Sequence, residues 1–364
     1  KRQYFTYNQY GNVETVQDPL SNTTTYDYDP ASRMTQLTNA KNQVTAYTHT
    51  NADLIETITD AANGLTSYSY DANDNLETIS DPKSQTTSWA YNNLDLVTSI
   101  SNPLGNTKGY TYNSDGTLNS RTNPDGEQTT YTYDDALRVT GINSGTVNAS
   151  LSYDGNGNIK TATTDGQSLS FNYDALNRIT NYSDAYNNTI RYGYDKSSNI
   201  ISIEYQTGKV VNYTYHDDNR LATVTDWNGN ATSYTYRADG SLYDIVYDNG
   251  VRAEYSYDNA ERLTGISITK SGGEIIAGYD YNPDELGNIT GTASTEPLNM
   301  PSLSEKNKIL NYDAANRLQS AGSDNYSFNV NGNLINKNGS SLTFTYDSEN
   351  RLTAIGGGHT ASYT

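Results

Sequence analysis

The chain has 364 residues, 34% of them apolar, a mean hydropathy of −0.78 and a net charge of −19 from 23 basic and 42 acidic side chains. That balance excludes a nucleic-acid partner, since phosphate contacts need clustered Lys and Arg and no such cluster occurs, and it repels anionic membrane surfaces. There is no cysteine for a disulfide or a Cys-based zinc site, and no apolar run approaches the roughly 20 residues of a membrane span.

The first residues, Gln3-Tyr4-Phe5-Thr6-Tyr7, already read as a strand, with neither an initiator Met nor a charged-then-apolar leader before them, which predicts a fragment of a longer protein. From there an aromatic anchor returns every 20 or 21 residues: Tyr7, Tyr28, His49, Tyr70, Tyr91, Tyr112, Tyr133, Tyr153, Tyr173, Tyr194, Tyr215, Tyr236 and Tyr257. A fixed period of this length predicts a repeat array in which continuity replaces a central core. Disorder is excluded, because 34 Tyr together with Thr, Ile and Val in strict phase is the opposite of a disordered composition. The presence of His49 and Phe328 in anchor places implies that the ring matters more than the hydroxyl.

Within each repeat the elements follow in order. Two residues before the anchor stands a second apolar residue, usually aromatic, such as Tyr26, Tyr68, Trp89, Tyr110 or Tyr131. That spacing puts both side chains on one face of a strand, usually with Thr or Ser between them on the other. A turn follows, as in Asp71-Ala72-Asn73-Asp74-Asn75, built from Asx residues and Gly that tolerate left-handed backbone. A second, aliphatic strand carries apolar residues six and mostly nine places past the anchor, such as Leu76 and Ile79. A separation of three requires either a bulge or one side chain on the opposite face. A second turn closes the unit, as in Asp81-Pro82-Lys83-Ser84-Gln85 or Asp226-Trp227-Asn228-Gly229-Asn230.

The prediction is an all-β chain, a continuous antiparallel meander of short hairpins in which aromatic strands face aliphatic ones, each cross-strand pair contributing roughly 0.2–1 kcal/mol. Strands about 4.8 Å apart in about seventeen repeats make a sheet on the order of 160 Å wide, too wide to remain flat; wrapped once it encloses a tube roughly 50 Å across. Residues 1–290 form the regular array. The period loosens through Tyr281, Tyr312, Phe328 and Tyr346, residues 291–308 with Pro297 and Pro301 read as an inserted loop, and 309–364 as less regular repeats. The last three residues, Ser362-Tyr363-Thr364, match Ser233-Tyr234-Thr235, which precede an anchor.

One further regularity is electrostatic. Asp one past the anchor recurs with Arg five past it, in Asp29 with Arg33, Asp134 with Arg138, Asp174 with Arg178, Asp258 with Arg262, Asp313 with Arg317 and Asp347 with Arg351. These read as turn-bridging ion pairs, the alternative being a ligand-binding arginine row. No catalytic, cofactor or metal site is predicted. His49, His216 and His359 do not cluster and read as substitutions within the pattern. The carboxylates recur in every unit, whereas a glycosidase needs one unique pair. Asp71–Asn75 and Asp154–Asn158 resemble the start of a calcium loop but lack its Gly at position six and Glu at position twelve. Asn-x-Ser/Thr triplets, Asn22, Asn181, Asn212 and Asn230 among them, are expected by chance in this composition. Trp89 and Trp227 are candidates for stacking on a sugar, and Trp227 is the better one because it occupies a turn position where Pro is commoner.

Units such as Tyr131-Thr132-Tyr133-Asp134-Asp135-Ala136-Leu137-Arg138-Val139 and Phe171-Asn172-Tyr173-Asp174-Ala175-Leu176-Asn177-Arg178-Ile179 resemble the YD repeat of the Rhs family. The resemblance covers nearly the whole chain. Its members include Rhs polymorphic toxin shells, Tc toxin B and C subunits, wall-associated proteins and teneurins. It implies a sheet coiled as a spiral around a hollow interior, which in toxin relatives holds a C-terminal toxin. The self-cleavage motif of those shells, Asp-Pro-x-Gly-Leu, has no match here, so the resemblance carries over neither cleavage nor a payload.

The functional expectation is a non-enzymatic scaffold segment of a secreted or cell-surface bacterial protein, a curved wall enclosing or displaying other parts and needing no cofactor. Its partners would be neighbouring repeats or domains of the parent chain, to which a parent of the toxin-shell kind would add an encapsulated C-terminal toxin. Alternatives are an adhesion module binding cell-surface glycans, or a self-assembling filament joined through unpaired sheet edges.

Overall fold

The structure is a computed structural model that describes residues 2–145, 147–206, 208–296, 308–339, 342–347, 349–357 and 361–362. His359, Tyr363 and Thr364 lie outside the described residues. Among those described every regular element is a β-strand, 28 from Tyr4 to Thr295 and seven from Leu310 to Ser362. Pairings are antiparallel and join strands adjacent in the chain, so the meander read from the period is the observed topology.

The register explains the odd spacing of the aliphatic strand. Around Tyr70, Tyr68 lies opposite Ile79, Ser69 opposite Thr78 and Tyr70 opposite Leu76, with the slip between Ser69 and Tyr70 leaving Glu77 as the extra residue. A bulge at the same place recurs at Tyr28, Tyr112, Tyr133, Tyr194, Tyr215 and Tyr257. One inserted residue restores phase, so positions six and nine both stand against the aromatic row. The opposite face carries hydroxyl pairs, Ser69 Oγ with Thr78 Oγ1 at 2.6 Å, Thr111 Oγ1 with Ser120 Oγ at 2.6 Å and Thr214 Oγ1 with Thr223 Oγ1 at 2.6 Å.

The two turns of a repeat, the anchor turn after the aromatic strand and the linking turn after the aliphatic one, share one design. In the anchor turn Asp71–Asn75, Asp71 Oδ1 accepts the backbone N–H of Asn73 at 2.8 Å and of Asn75 at 2.9 Å. The linking turn Asp81–Gln85 repeats this, Asp81 Oδ1 accepting from Lys83 at 2.8 Å and Gln85 at 2.9 Å. The fourth residue of each is left-handed, Asp74 at φ 66° and Ser84 at φ 60°, a type I turn closed by a left-handed residue. Leu137 occupies this place at φ 59° with its side chain 52% exposed. Left-handed backbone costs an ordinary L-residue about 1–2 kcal/mol, whereas Asn tolerates it. Leu137→Asn should therefore stabilise the chain by about 1 kcal/mol in urea unfolding, and Leu137→Gly by less, because Gly loosens the unfolded chain. No gain from Asn would mean that the leucine is unstrained there.

Past Tyr257 the structure corrects the anchor assignment. Tyr281 lies opposite Thr292, and the bulge falls between Asn282 and Pro283, with Pro283 opposite Ile289. Pro283 is therefore the anchor, Tyr281 is the residue two before it, and the turn that follows is Asp284–Asn288 with Gly287 left-handed at φ 85°. The expected inserted loop also starts later than Gly291. The strand Ile289–Thr295 stays paired with Ile275–Pro283 through Thr295, because alternating Thr, Ser and Ala keep it in register. Residues 297–307, most of the expected insertion, lie outside the described residues.

By contacts the chain falls into two units, Lys1–Ala46 with Ser170–Leu303, and Tyr47–Leu169 with Ser304–Thr364. Each joins an earlier to a later stretch of repeats. Among the described residues the only buried apolar side chains are Val147, Ala253, Ala277 and Ala321, so stability resides in the contacts between neighbouring strands and turns.

Candidate functional site

The anchor tyrosines are more than ring sites. The hydroxyl of Tyr28 donates to the carbonyl of Val13 at 2.9 Å, Tyr70 to Ile55 at 2.8 Å, Tyr91 to Leu76 at 2.8 Å, Tyr112 to Val97 at 2.7 Å and Tyr133 to Leu118 at 2.8 Å. Tyr153 donates to Val139 at 2.7 Å, Tyr194 to Ile179 at 2.8 Å and Tyr215 to Ile200 at 2.8 Å. In each case the acceptor is the residue six past the preceding anchor, the carbonyl beside that repeat's bulge. This corrects the expectation that the hydroxyl is secondary: it ties each repeat to the one before. Tyr173 stands opposite Ile179, and Tyr257 opposite Leu263.

The Asp and Arg positions form a second tie. Arg Nε donates to Asp Oδ2 at 2.7 Å for Arg33 and Asp29, 2.8 Å for Arg138 and Asp134, 2.7 Å for Arg178 and Asp174, and 2.6 Å for Arg262 and Asp258. The same guanidinium reaches the next repeat. Arg138 Cζ lies 4.4 Å from the ring centroid of Tyr153 and Arg178 Cζ 4.5 Å from that of Tyr194, and Arg178 Nη1 donates to the carbonyl of Asp195 at 3.1 Å. Where His216 replaces the Asp, Arg220 Nε turns to Asp218 Oδ2 at 2.7 Å and still covers Tyr236 at 4.7 Å. His216 meets the same ring edge-on at 5.9 Å. These arginines are consumed within the sheet, which leaves little for a ligand-binding row.

Both ties titrate. Asp29 is held below its ordinary value first by the backbone N–H of Arg33 and then by its guanidinium, and Asp154 first by the side-chain amide of Asn158. A lowered carboxyl contributes stability that is complete above its unfolded value and is lost as pH falls through the folded one. Burial pushes the hydroxyls of Tyr70, Tyr112 and Tyr194 up; their contribution is complete below the unfolded value and is lost as pH rises through the folded one. The thermal midpoint should therefore be flat between about pH 5 and pH 9 and fall on both sides. Circular dichroism melts at constant ionic strength test this, and a midpoint still flat at about pH 3 would deny the aspartates their role.

The turn edges carry the remaining polar contacts. In the first unit Lys41, of linking turn Asn39–Gln43, pairs with Asp284. In the second, Asn316 Nδ2 donates to Asp81 Oδ2 at 3.3 Å, Asn331 Nδ2 to Asp125 Oδ2 at 2.5 Å, and Arg121 Nη2 pairs with Glu349 Oε2 at 3.1 Å. Thr129, 1% exposed, donates to Glu349 Oε1 at 2.7 Å. A groove of about 350 Å³ lies between Ile79, Asp81, Asn102 and Pro103 on one side and Ala314, Ala315 and Asn316 on the other.

Trp227 is 48% exposed in its linking turn, with the ring of Tyr205 edge-on at 6.2 Å and Lys209 Nζ 5.0 Å above its own. Trp89 is half-buried in the aromatic row opposite Ile100. In the two calcium-like loops, Asp71 and Asp154 spend both carboxylate oxygens on their own turns.

Similarity to known proteins follows this geometry. No curated protein matches the sequence. Among solved structures, the chain is similar to the complex TcdB2-TccC3, with a TM-score of 0.64 and 16% identity over 99% of this chain and 24% of that one. It is also similar to TcdB2-TccC3 without its hypervariable C-terminal region, with a TM-score of 0.64, 15% identity, and 96% and 23% of the two chains covered. A third likeness is to the Tc holotoxin pore of Photorhabdus luminescens, with a TM-score of 0.63, 16% identity, and 96% and 23% covered. The likeness shows the fold, and this chain spans about a quarter of the length of those chains. The model of the teneurin YD-shell family matches residues 2–153 and 132–250. With most of its repeats inside that match, each built on the same ring, bulge and turn, the chain belongs to the teneurin YD-shell family.

Proposed function

We propose that this chain is a wall segment of a YD shell, a non-enzymatic scaffold that works outside the cell by enclosing or displaying another domain. The observation that carries this reading is the double tie between repeats. A tyrosine hydroxyl and an arginine fork cross from one repeat to the next without a buried core, which lets a thin sheet extend and hold its register over many repeats. The similar Tc complexes support the same reading at the level of fold, and one of them was solved without a hypervariable C-terminal region. An enclosed domain of this kind, a toxin by analogy of fold alone, is the proposed cargo.

Electron cryomicroscopy of the natural gene product containing these residues tests the proposal. A hollow particle walled by this sheet, with a further domain inside or projecting from it, is the expected result. A fibre, or a particle with no space beside the sheet, would overturn it. The glycan-binding alternative has less behind it, because Lys209 and Tyr205 already engage the Trp227 ring and leave less of it for a sugar.

A further inference from the structure

Among the described residues, the seven strands from Leu310 to Ser362 share no ladder with the 28 before them. Within the second unit, therefore, side-chain contacts hold this later stretch against the array of residues 47–169. Most of these contacts are weak. Asn316 Nδ2 reaches Asp81 Oδ2 only at 3.3 Å, Lys83 Nζ stands 5.9 Å from the Tyr312 ring centroid, and the contact of Asn331 with Asp125 is exposed to water. Exposed polar contacts of this kind contribute about 0–1 kcal/mol each. Apolar burial adds little at the start of the stretch, where Ile309 is 77% exposed and Leu310 and Tyr312 are both 48% exposed.

One contact differs in kind. Nine places past the anchor the neighbouring repeats carry Ile79, Ile100 and Ile142, but the repeat of Tyr112 carries Arg121. The register sets Arg121 opposite Tyr110 on one side and Thr129 on the other, so a guanidinium stands in the apolar row. Its hydrogen-bond partner inside the array is Thr129 Oγ1 at 3.2 Å, and its Nε is buried with no partner among the described residues. The counter-charge comes from Glu349. Arg121 Nη2 donates to Oε2 at 3.1 Å and to Oε1 at 3.3 Å, while the Thr129 hydroxyl donates to Oε1 at 2.7 Å. Both charged side chains are largely withdrawn from water, at 28% and 23% exposure. Glu349 is itself a departure, since the third residue of an anchor turn is Ala31, Ala136 or Ala315 in other repeats with the Asp and Arg pair. Each of two exceptions to the repeat pattern thus meets the other.

We infer that Arg121 and Glu349 form a latch, and that the seven-stranded stretch is a strap which this latch holds closed on the array. An isoleucine at position 121 would serve the local row, and a withdrawn ion pair gains little net stability over apolar residues of similar volume. What the pair supplies is a single point of release. With one charge removed the other is left without its counter-ion in a half-buried place, which favours separation. Separation breaks no ladder bond, and it opens to solvent the groove between Pro103 and Ala315 and the linking turn that carries Asp125. The latch acts in this way whatever the wall encloses.

Because the chain has no cysteine, cysteines introduced at the exposed positions Asp135 and Ser327 would carry the only two spin labels. Double electron–electron resonance on the full chain then reads the distance between array and strap. The parent should give one narrow distance. Glu349→Gln keeps the shape and removes the charge, and should add a longer distance, raising the ratio of open to closed chains at least about tenfold. Lys83→Ala removes an exposed contact of the same strap and should change that ratio by less than about threefold. Circular dichroism checks that each variant keeps its sheet. If the glutamine variant fails to fold, Glu349→Asp, which keeps the charge one methylene short of Arg121, takes its place and should also open the strap. A broad distance in the parent overturns the inference. So does a Glu349 variant as closed as the parent, or a Lys83 variant that opens as far as the Glu349 one.

Discussion

Replacing Tyr112 with alanine should destabilise the chain by about 2–4 kcal/mol, and replacing it with phenylalanine by about 1 kcal/mol. The ring lies opposite Leu118 in the aromatic row and is half-buried, so its loss falls in the lower part of the range for aromatic truncations. The phenylalanine change isolates the hydroxyl, which donates to the carbonyl of Val97 at 2.7 Å. Without it that carbonyl loses its partner while the ring still covers it, which is the costly way to lose a hydrogen bond. Because a repeat array distributes stability over nearest-neighbour contacts, the damage should be local. Hydrogen exchange should accelerate in Val97–Ser101 and Thr107–Tyr112 before the rest of the sheet responds, and urea unfolding gives the total. A phenylalanine variant as stable as the parent would reduce the tyrosine to its ring.

That distinction marks how far the sequence could be read. The ring was legible because aromatic residues at fixed spacing produce a period, and the hydroxyl was not, because a tyrosine selected for its ring and one selected for its oxygen occupy the same place in that period. The substitutions at His49 and Phe328 argued for the ring, yet the carbonyls of Val13, Ile55, Leu76 and Val97 are each met by a hydroxyl. The strands, both turns and their antiparallel order followed from alternation and Asx chemistry. The three-residue gap between positions six and nine implied either a bulge or a change of face, and only pairing could choose, since a bulge is a property of two strands together.

Pro283 shows a different limit. A search for aromatic anchors passes over it to Tyr281, although Asp284, Gly287 and Asn288 spell the turn that follows an anchor. The turn was the stronger signal there, because it fixes backbone geometry whatever side chain precedes it. The contacts between turns of distant repeats, Lys41 with Asp284 and Asn331 with Asp125, could not be read at all. A period states what each repeat is, and the partner of a turn more than 200 residues away depends on the small twist and bend accumulated over every intervening strand.

The arginine at position five is where the local reading and the observed role diverge most, and its removal is correspondingly informative. Arg178→Ala should cost about 1–2 kcal/mol from the lost carbonyl and ring contacts to the following repeat. Its ion pair with Asp174 adds little, since both partners keep contact with water. The guanidinium donates to the carbonyl of Asp195 and the hydroxyl of Ser198, each at 3.1 Å, and lies 4.5 Å from the Tyr194 centroid. Three partners of different geometry are met at once by a planar fork, which an ammonium cannot reproduce. Arg178→Lys should therefore recover charge but less than half of the lost stability in urea unfolding. Full rescue by lysine would mean that charge alone acts, as in an ordinary surface pair. The expected partial rescue, together with faster exchange in Thr189–Tyr194 rather than around Asp174, would place the function of the arginine in holding the next repeat. A clamp of that kind lets a thin sheet be extended repeat by repeat without any of them burying a core.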